Sequence, residues 1–350
     1  MKIRSIQYLR ATAALLVVVA HALLHPLAHA EATYQRLGSF GVLLFFVISG
    51  FIMIYTTGTG AFAPGKFLRR RIERIAPLYW LVTFGVSFLA IFAPTLLKNT
   101  TFSWDQLIKS LFFIPYAREN GEIVPLMKLG WTLNYEMFFY LAFASLAFLS
   151  ARSRVLLVTL LFVLLVIAGA VVPFESAIPL FLTAPLLLTF CVGMGVGLLY
   201  QRQSFLACDA RLAPIWLGSA AVFIALALNA PQTAPLSPFT DATFALAAAS
   251  LVLLGLCSER LLPDWRFGLL LGDASYSLYL VHMYLVAATG LIVGRLVGSD
   301  MPALSIASAI GASVIAAIAV HLIVEKPIGR WLRYVDPRAR WRKTAASSAI

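Results

Sequence analysis

SIQYLRATAALLVVVAHALL, residues 5–24, is apolar almost throughout and is interrupted by one arginine and one histidine. An α-helix rises about 1.5 Å per residue, so this stretch covers the roughly 30 Å hydrocarbon core of a bilayer. At about 100° per residue, the spacing of Arg10 and His21 returns almost to the same helix face and separates the two by roughly 16 Å along the axis. An ionisable side chain inside a membrane helix is costly, so each is a candidate functional residue.

The rest of the chain belongs to the same physical class. Of 350 residues, 61% are hydrophobic and only 12% are charged, whereas a soluble domain is about a quarter charged. The reading is an all-α polytopic membrane protein, a bundle of about ten transmembrane helices. The spans fall at roughly 5–24, 38–56, 76–93, 131–149, 155–172, 179–200, 213–229, 242–257, 272–293 and 304–325. The interval 94–130 is the longest gap. Its apolar piece LIKSLFFIPY at 107–116 is too short to cross and reads as an interfacial or re-entrant element. An integral membrane domain over 1–335 is then followed by a basic tail over 336–350. Cys191, Cys208 and Cys257 lie far apart with no metal-ligand spacing, so neither a disulfide framework nor a metal site is expected.

Charge sets the orientation. With the N-terminus in the cytoplasm and sides alternating, 21 of the 27 lysines and arginines fall on the cytoplasmic side. That bias matches the positive-inside rule, and a missed span would scramble it. Both termini are therefore expected in the cytoplasm. Much of the +12 net charge is topological and not a sign of nucleic-acid binding. The basic start, the apolar stretch and Ala28-His29-Ala30 also resemble a cleavable leader. His21, His25 and Pro26 interrupt that pattern, and a retained span is the reading preferred.

After the second span comes Lys66-Phe67-Leu68-Arg69-Arg70-Arg71-Ile72-Glu73-Arg74-Ile75-Ala76-Pro77, a basic loop on the cytoplasmic side. Such clusters anchor helices and attract anionic lipid. Arginine forks also grip phosphates in bidentate fashion. On a helix, Arg71 and Arg74 would share a face at i, i+3.

At these residues the chain resembles the membrane-bound acyltransferase-3 family, most closely its ExoZ-type exopolysaccharide O-acetyltransferases. The resemblance runs through five blocks in order. They are Leu9-Arg10-Ala11 through His21; Gly41 to Phe51, GVLLFFVISGF; Arg71 and Arg74 as R-x-x-R followed by Pro77-Leu78-Tyr79; Trp131 to Tyr140, WTLNYEMFFY; and Gly272 to His282, GDASYSLYLVH, with Glu325-Lys326-Pro327 closing the last span. Many members carry Asp-Gly where this chain has Gln7-Tyr8. The form S-I-Q-x-L-R is what points to the ExoZ-type branch.

The resemblance implies a multi-pass protein of the bacterial plasma (inner) membrane. It implies transfer of an acyl group, acetyl in the first instance, from cytoplasmic acyl-CoA to a sugar hydroxyl of an exopolysaccharide or other surface glycan. Acyl-CoA is then a co-substrate, with no permanently bound cofactor. The acceptor is a polysaccharide or lipid-linked oligosaccharide, and polysaccharide biosynthesis proteins are candidate partners. CoA would dock at Arg10, Arg71 and Arg74. Ester formation needs a base or an acyl carrier, and histidine can serve as either. His21 and Glu136 lie at similar depths in their spans, so Glu136 is expected to orient His21 as in a catalytic dyad.

Other residues carry weaker arguments. Ser49 reads as a small residue for close helix packing. Trp131, Tyr276 and His282 are candidates to line the acceptor site. Asp273 and Ser275 suit an N-terminal cap for the ninth span. His25 and His29 fall in an outer loop. A transporter is the alternative function, because buried charge in a helical bundle also suits substrate passage. A subunit of a polysaccharide export complex is a further alternative.

Overall fold

In hydrocarbon no water is present to pair a free backbone N–H or C=O, so an apolar run closes its own hydrogen bonds as a helix. The computed structural model describes residues 3–24, 31–97, 100–203, 207, 209–230, 237–297 and 301–335, and among the described residues there is no strand. The helices are α1 (Arg4–Leu24), α2 (Glu31–Thr57), α3 (Pro64–Phe92), α4 (Trp104–Leu111), α5 (Trp131–Ser145), α6 (Ala151–Val171), α7 (Ala177–Leu182) and α8 (Leu187–Gln201). They continue as α9 (Ala213–Asn229), α10 (Pro238–Cys257), α11 (Arg266–Asp273), α12 (Ser275–Val297), α13 (Pro302–Val320) and α14 (Lys326–Val335), with a π-turn at His321–Glu325 between the last two. The basic tail over 336–350, His25, His29 and Cys208 lie outside the described residues.

Nine helical stretches among the described residues are long and apolar enough to cross a bilayer. The expected span at 131–149 is shorter: α5 has 15 residues, or about 22 Å. What ends it is Arg154, which is fully buried (0% exposed). Its guanidinium donates to the carbonyls of Leu146 (3.2 Å), Leu149 (2.7 Å) and Gly60 (2.8 Å) and lies over the Phe62 ring. A buried cation must be matched by acceptors, and the turn after α5 supplies them with its backbone.

Three other boundaries differ from expectation. The basic segment after α2 is helical rather than a loop: Pro64 sits at the first position of α3, which runs unbroken through Arg71 and Arg74. Proline is pre-set for that position. The expected span at 179–200 divides into α7 and α8 around Pro185, because proline cannot donate the helical bond. At the start of the ninth span, α11 already runs to Asp273, and the Ser275 hydroxyl donates back to the Gly272 carbonyl at 2.8 Å. The short apolar piece after the third span folds as α4, capped by Ser103, whose hydroxyl accepts from Gln106 N. It leaves Trp104, Ile108 and Phe112 exposed.

At the centre, α2 packs on α1, α8 and α10. Without a hydrophobic drive between helices in lipid, close backbone approach does the holding. An added Cβ at Gly193 would run into the Val47 carbonyl, and one at Gly50 into the Phe190 carbonyl. Gly195 faces open space. Gly193→Ala is therefore expected to cost about 1–3 kcal/mol, the usual cost of overpacking, seen as a lower melting temperature in detergent. Gly195→Ala should show no such loss, and equal melting temperatures for the two variants would refute the close α2–α8 contact.

Candidate active site

The five blocks converge on one cavity of about 230 Å³ between α1, α2, α3, α5 and α12. Arg10 and Gln7 enter from α1, Ser49 from α2, Arg71 and Arg74 from α3, Thr132, Glu136 and Tyr140 from α5, and Tyr276 and Tyr279 from α12. Arg10 on α1 thus shares a wall with the i, i+3 pair Arg71 and Arg74 on α3.

Each arginine is held differently. Arg10 is 8% exposed and donates to Gln7 Oε1 at 3.3 Å. Its charge lies within electrostatic reach of Arg74, Glu325, Asp273 and Glu136. Arg71 donates to Thr56 Oγ1 at 3.1 Å and lies over the rings of Phe67 and Tyr140. Its buried Nε has no hydrogen-bond partner among the described residues. Arg74 is exposed at the mouth of the cavity. Stacking pre-orients the Arg71 plane and leaves donors for a ligand, which a lysine in its place would not do.

Glu136 is fixed from two sides. The Ser49 hydroxyl donates to its Oε1 at 2.9 Å, and the Tyr140 hydroxyl donates to the same oxygen. Tyr140 stands one turn beyond Glu136 on α5, so the two share a face. Ser49, expected as a small packing residue, thus also makes a polar contact, and the close backbone approach lies at its neighbour Gly50.

The histidines form a second group. The His21 and His282 rings meet edge to face, with centroids 5.0 Å apart, and His282 is fully buried (0% exposed). Neither is among the residues lining the cavity. Tyr279 joins the two groups: it lines the cavity, its hydroxyl lies 2.9 Å from Thr132 Oγ1, and its ring meets that of His282. Of the three residues expected at the acceptor site, Tyr276 lines the cavity, with its hydroxyl donating to the Ile75 carbonyl at 2.7 Å. Trp131 is half-buried against Tyr135 outside that lining.

A third polar group adjoins the wall and was not anticipated. Glu325, in the π-turn, accepts from Ser277 Oγ at 2.6 Å and lies 2.8 Å from His321 Nδ1. Among the described residues, no group of three or more His, Cys, Asp or Glu is placed to hold a metal ion.

The acyltransferase-3 family model, described as an acyltransferase domain, matches residues 3–322. The chain is 35% identical to the exopolysaccharide production protein ExoZ of Rhizobium meliloti (strain 1021), over 89% of this chain and 94% of that one. It is 27% identical to the acyltransferase MdmB of Streptomyces mycarofaciens, over 85% of this chain and 82% of that one. No solved structure matches it significantly.

Proposed function

Because the chain belongs to the acyltransferase-3 family, we propose that it is a membrane O-acetyltransferase that takes acetyl from cytoplasmic acetyl-CoA and esterifies a hydroxyl of an exopolysaccharide. The observation that supports this most is the shared wall of Arg10, Arg71 and Arg74 in one cavity with Glu136. CoA is polyanionic, and stacked or buried arginines suit its phosphates. From that wall the pantetheine arm would run along the α1 stripe from Arg10 toward His21, roughly 16 Å by helical rise.

In the direct version of the reaction, His21 takes the proton of the sugar hydroxyl as its oxygen attacks the thioester carbonyl. The C–S bond then breaks, the CoA thiolate recovers the proton, and the ester leaves. In the carrier version a His21 nitrogen attacks the thioester carbonyl, the C–S bond breaks and CoA leaves as thiolate. The sugar hydroxyl oxygen then attacks the acetyl carbon, the C–N bond breaks to return His21, and the hydroxyl proton ends on the CoA thiolate. Glu136, fixed by Ser49 and Tyr140, supplies a fixed negative charge on the cavity that would receive the donor. A transporter would need no acyl donor, so turnover of acetyl-CoA thioester by the purified protein in the presence of acceptor polysaccharide separates the two functions. Hydrolysis or transfer that is absent under all conditions would refute the acyltransferase reading.

The donor side follows from topology. Gly60 precedes α3 and has open space for an added side chain, while Asn120 is exposed in the long segment between α4 and α5. In a background without the native cysteines, Gly60→Cys should be protected from an impermeant thiol reagent in intact cells, and Asn120→Cys should react. The reverse pattern would put the arginine wall on the outer side and remove cytoplasmic CoA as donor.

A further inference from the structure

The hydrogen-bond partners of the two histidines determine which nitrogen of each carries a proton. His282 Nδ1 lies 3.1 Å from the Leu278 carbonyl and 2.8 Å from the Tyr279 carbonyl. A carbonyl only accepts, so this nitrogen is the N–H. His21 Nδ1 lies 2.8 Å from the Val17 carbonyl and is an N–H for the same reason. His282 Nε2 stands 3.4 Å from that His21 N–H. It can only accept there, because a second proton would set N–H against N–H. The His21 proton is thus shared between the Val17 carbonyl and His282 Nε2, a three-centre arrangement. In neutral His21 the lone pair is left on Nε2.

We infer that His282 is a positioning residue for His21. It acts as the acceptor that fixes the tautomer and ring plane of His21, so that His21 presents Nε2 as the basic nitrogen. The order is one of relayed acceptors: the α12 carbonyls hold His282, His282 holds His21, and His21 faces the reacting hydroxyl. When His21 takes a proton or an acetyl group it becomes cationic, and its Nδ1–H becomes a stronger donor to both acceptors. His282 thereby favours the charged intermediate over the resting state, the part an aspartate plays in a hydrolase triad. Its complete burial suits that part, because an acceptor shielded from water keeps its partner.

This inference rests on His21 as base or carrier, and its test separates the two claims. Gln at 282 reaches the position of imidazole Nε2 with an acceptor oxygen. Asn reaches only the position of Nδ1 and keeps the contact with the α12 carbonyls. His282→Asn and His282→Leu should lower kcat about 10- to 100-fold, less than the roughly 10²–10⁴-fold supplied by a whole general base. KM for acetyl-CoA should stay unchanged. His282→Gln should keep at least a third of wild-type kcat. His282→Leu added to His21→Ala should cause no further loss, as expected of residues acting as a unit. CoA affinity by calorimetry checks folding of each variant. Equal kcat for the Asn and Gln variants, or additive loss in the double variant, would overturn the inference while leaving His21 in place. Near-normal transfer by His21→Ala would remove both.

Discussion

His21→Ala is expected to abolish acetylation of the polysaccharide while the protein still inserts, folds and binds CoA. Losing a general base costs about 10²–10⁴-fold, and losing a covalent carrier should leave less activity still. The side chain is half-buried in α1, its ring against His282 and its Nδ1 committed to Val17. Removing it therefore leaves the arginine wall intact. Glu136→Gln should impair transfer by a smaller factor, since the amide can still receive a bond from Ser49 or Tyr140 but no longer carries charge. Its addition to His21→Ala should change little. The measurement is acetyl content of purified polysaccharide by NMR at matched expression. Near-normal content in His21→Ala would make the histidine structural. Acetyl trapped on His21 by mass spectrometry after incubation without acceptor would identify it as carrier rather than base.

The second large effect is expected at the donor wall. Arg71→Gln combined with Arg74→Gln should weaken acetyl-CoA binding about 10- to 100-fold per arginine, since a hydrogen bond to a charged group is worth about 1.5–3 kcal/mol. Lysine at both positions should restore only part of this, because it lacks the planar fork and the stacking of Arg71 on Phe67 and Tyr140. Membrane insertion should be unaffected, because Lys66, Arg69 and Arg70 remain in the same turns of α3. Unchanged affinity in the double Gln variant, measured by calorimetry in detergent, would rule out these phosphate contacts.

Much of this architecture is legible in residue order alone. Twenty-residue apolar runs demand helices in lipid, and the i, i+3 arginines share a face wherever the segment is helical. The convergence of Arg10, Arg71, Arg74 and Glu136 on one cavity accords with the five family blocks. What residue order does not carry is which polar group meets which across helices. Glu136 is bonded by Ser49, 87 residues away, and by its own helical neighbour Tyr140; only the second is visible as a spacing. His21 and His282 are 261 residues apart and meet because α12 packs on α1. The short α5 is likewise hidden, because the cause is Arg154 on the next helix. His321 and Glu325 also pair at i, i+4, whereas the bond from Ser277 to Glu325 crosses between helices and leaves no spacing to read.

The π-turn that carries His321 and Glu325 has a consequence at the level of the gene. Its closing bond runs from Lys326 N–H to the His321 carbonyl, one residue more than an α-helical turn spans. Omitting any single codon between 321 and 325 would let the ladder close as ordinary α-helix. Everything beyond would keep nearly its azimuth, because the wide turn already absorbs one extra residue. The same omission from the ordinary helix on either side would instead swing Lys326–Val335 by about 100° about the axis. This short stretch is thus the one place in the last span where a residue can be gained or lost without re-aiming the final helix of the bundle.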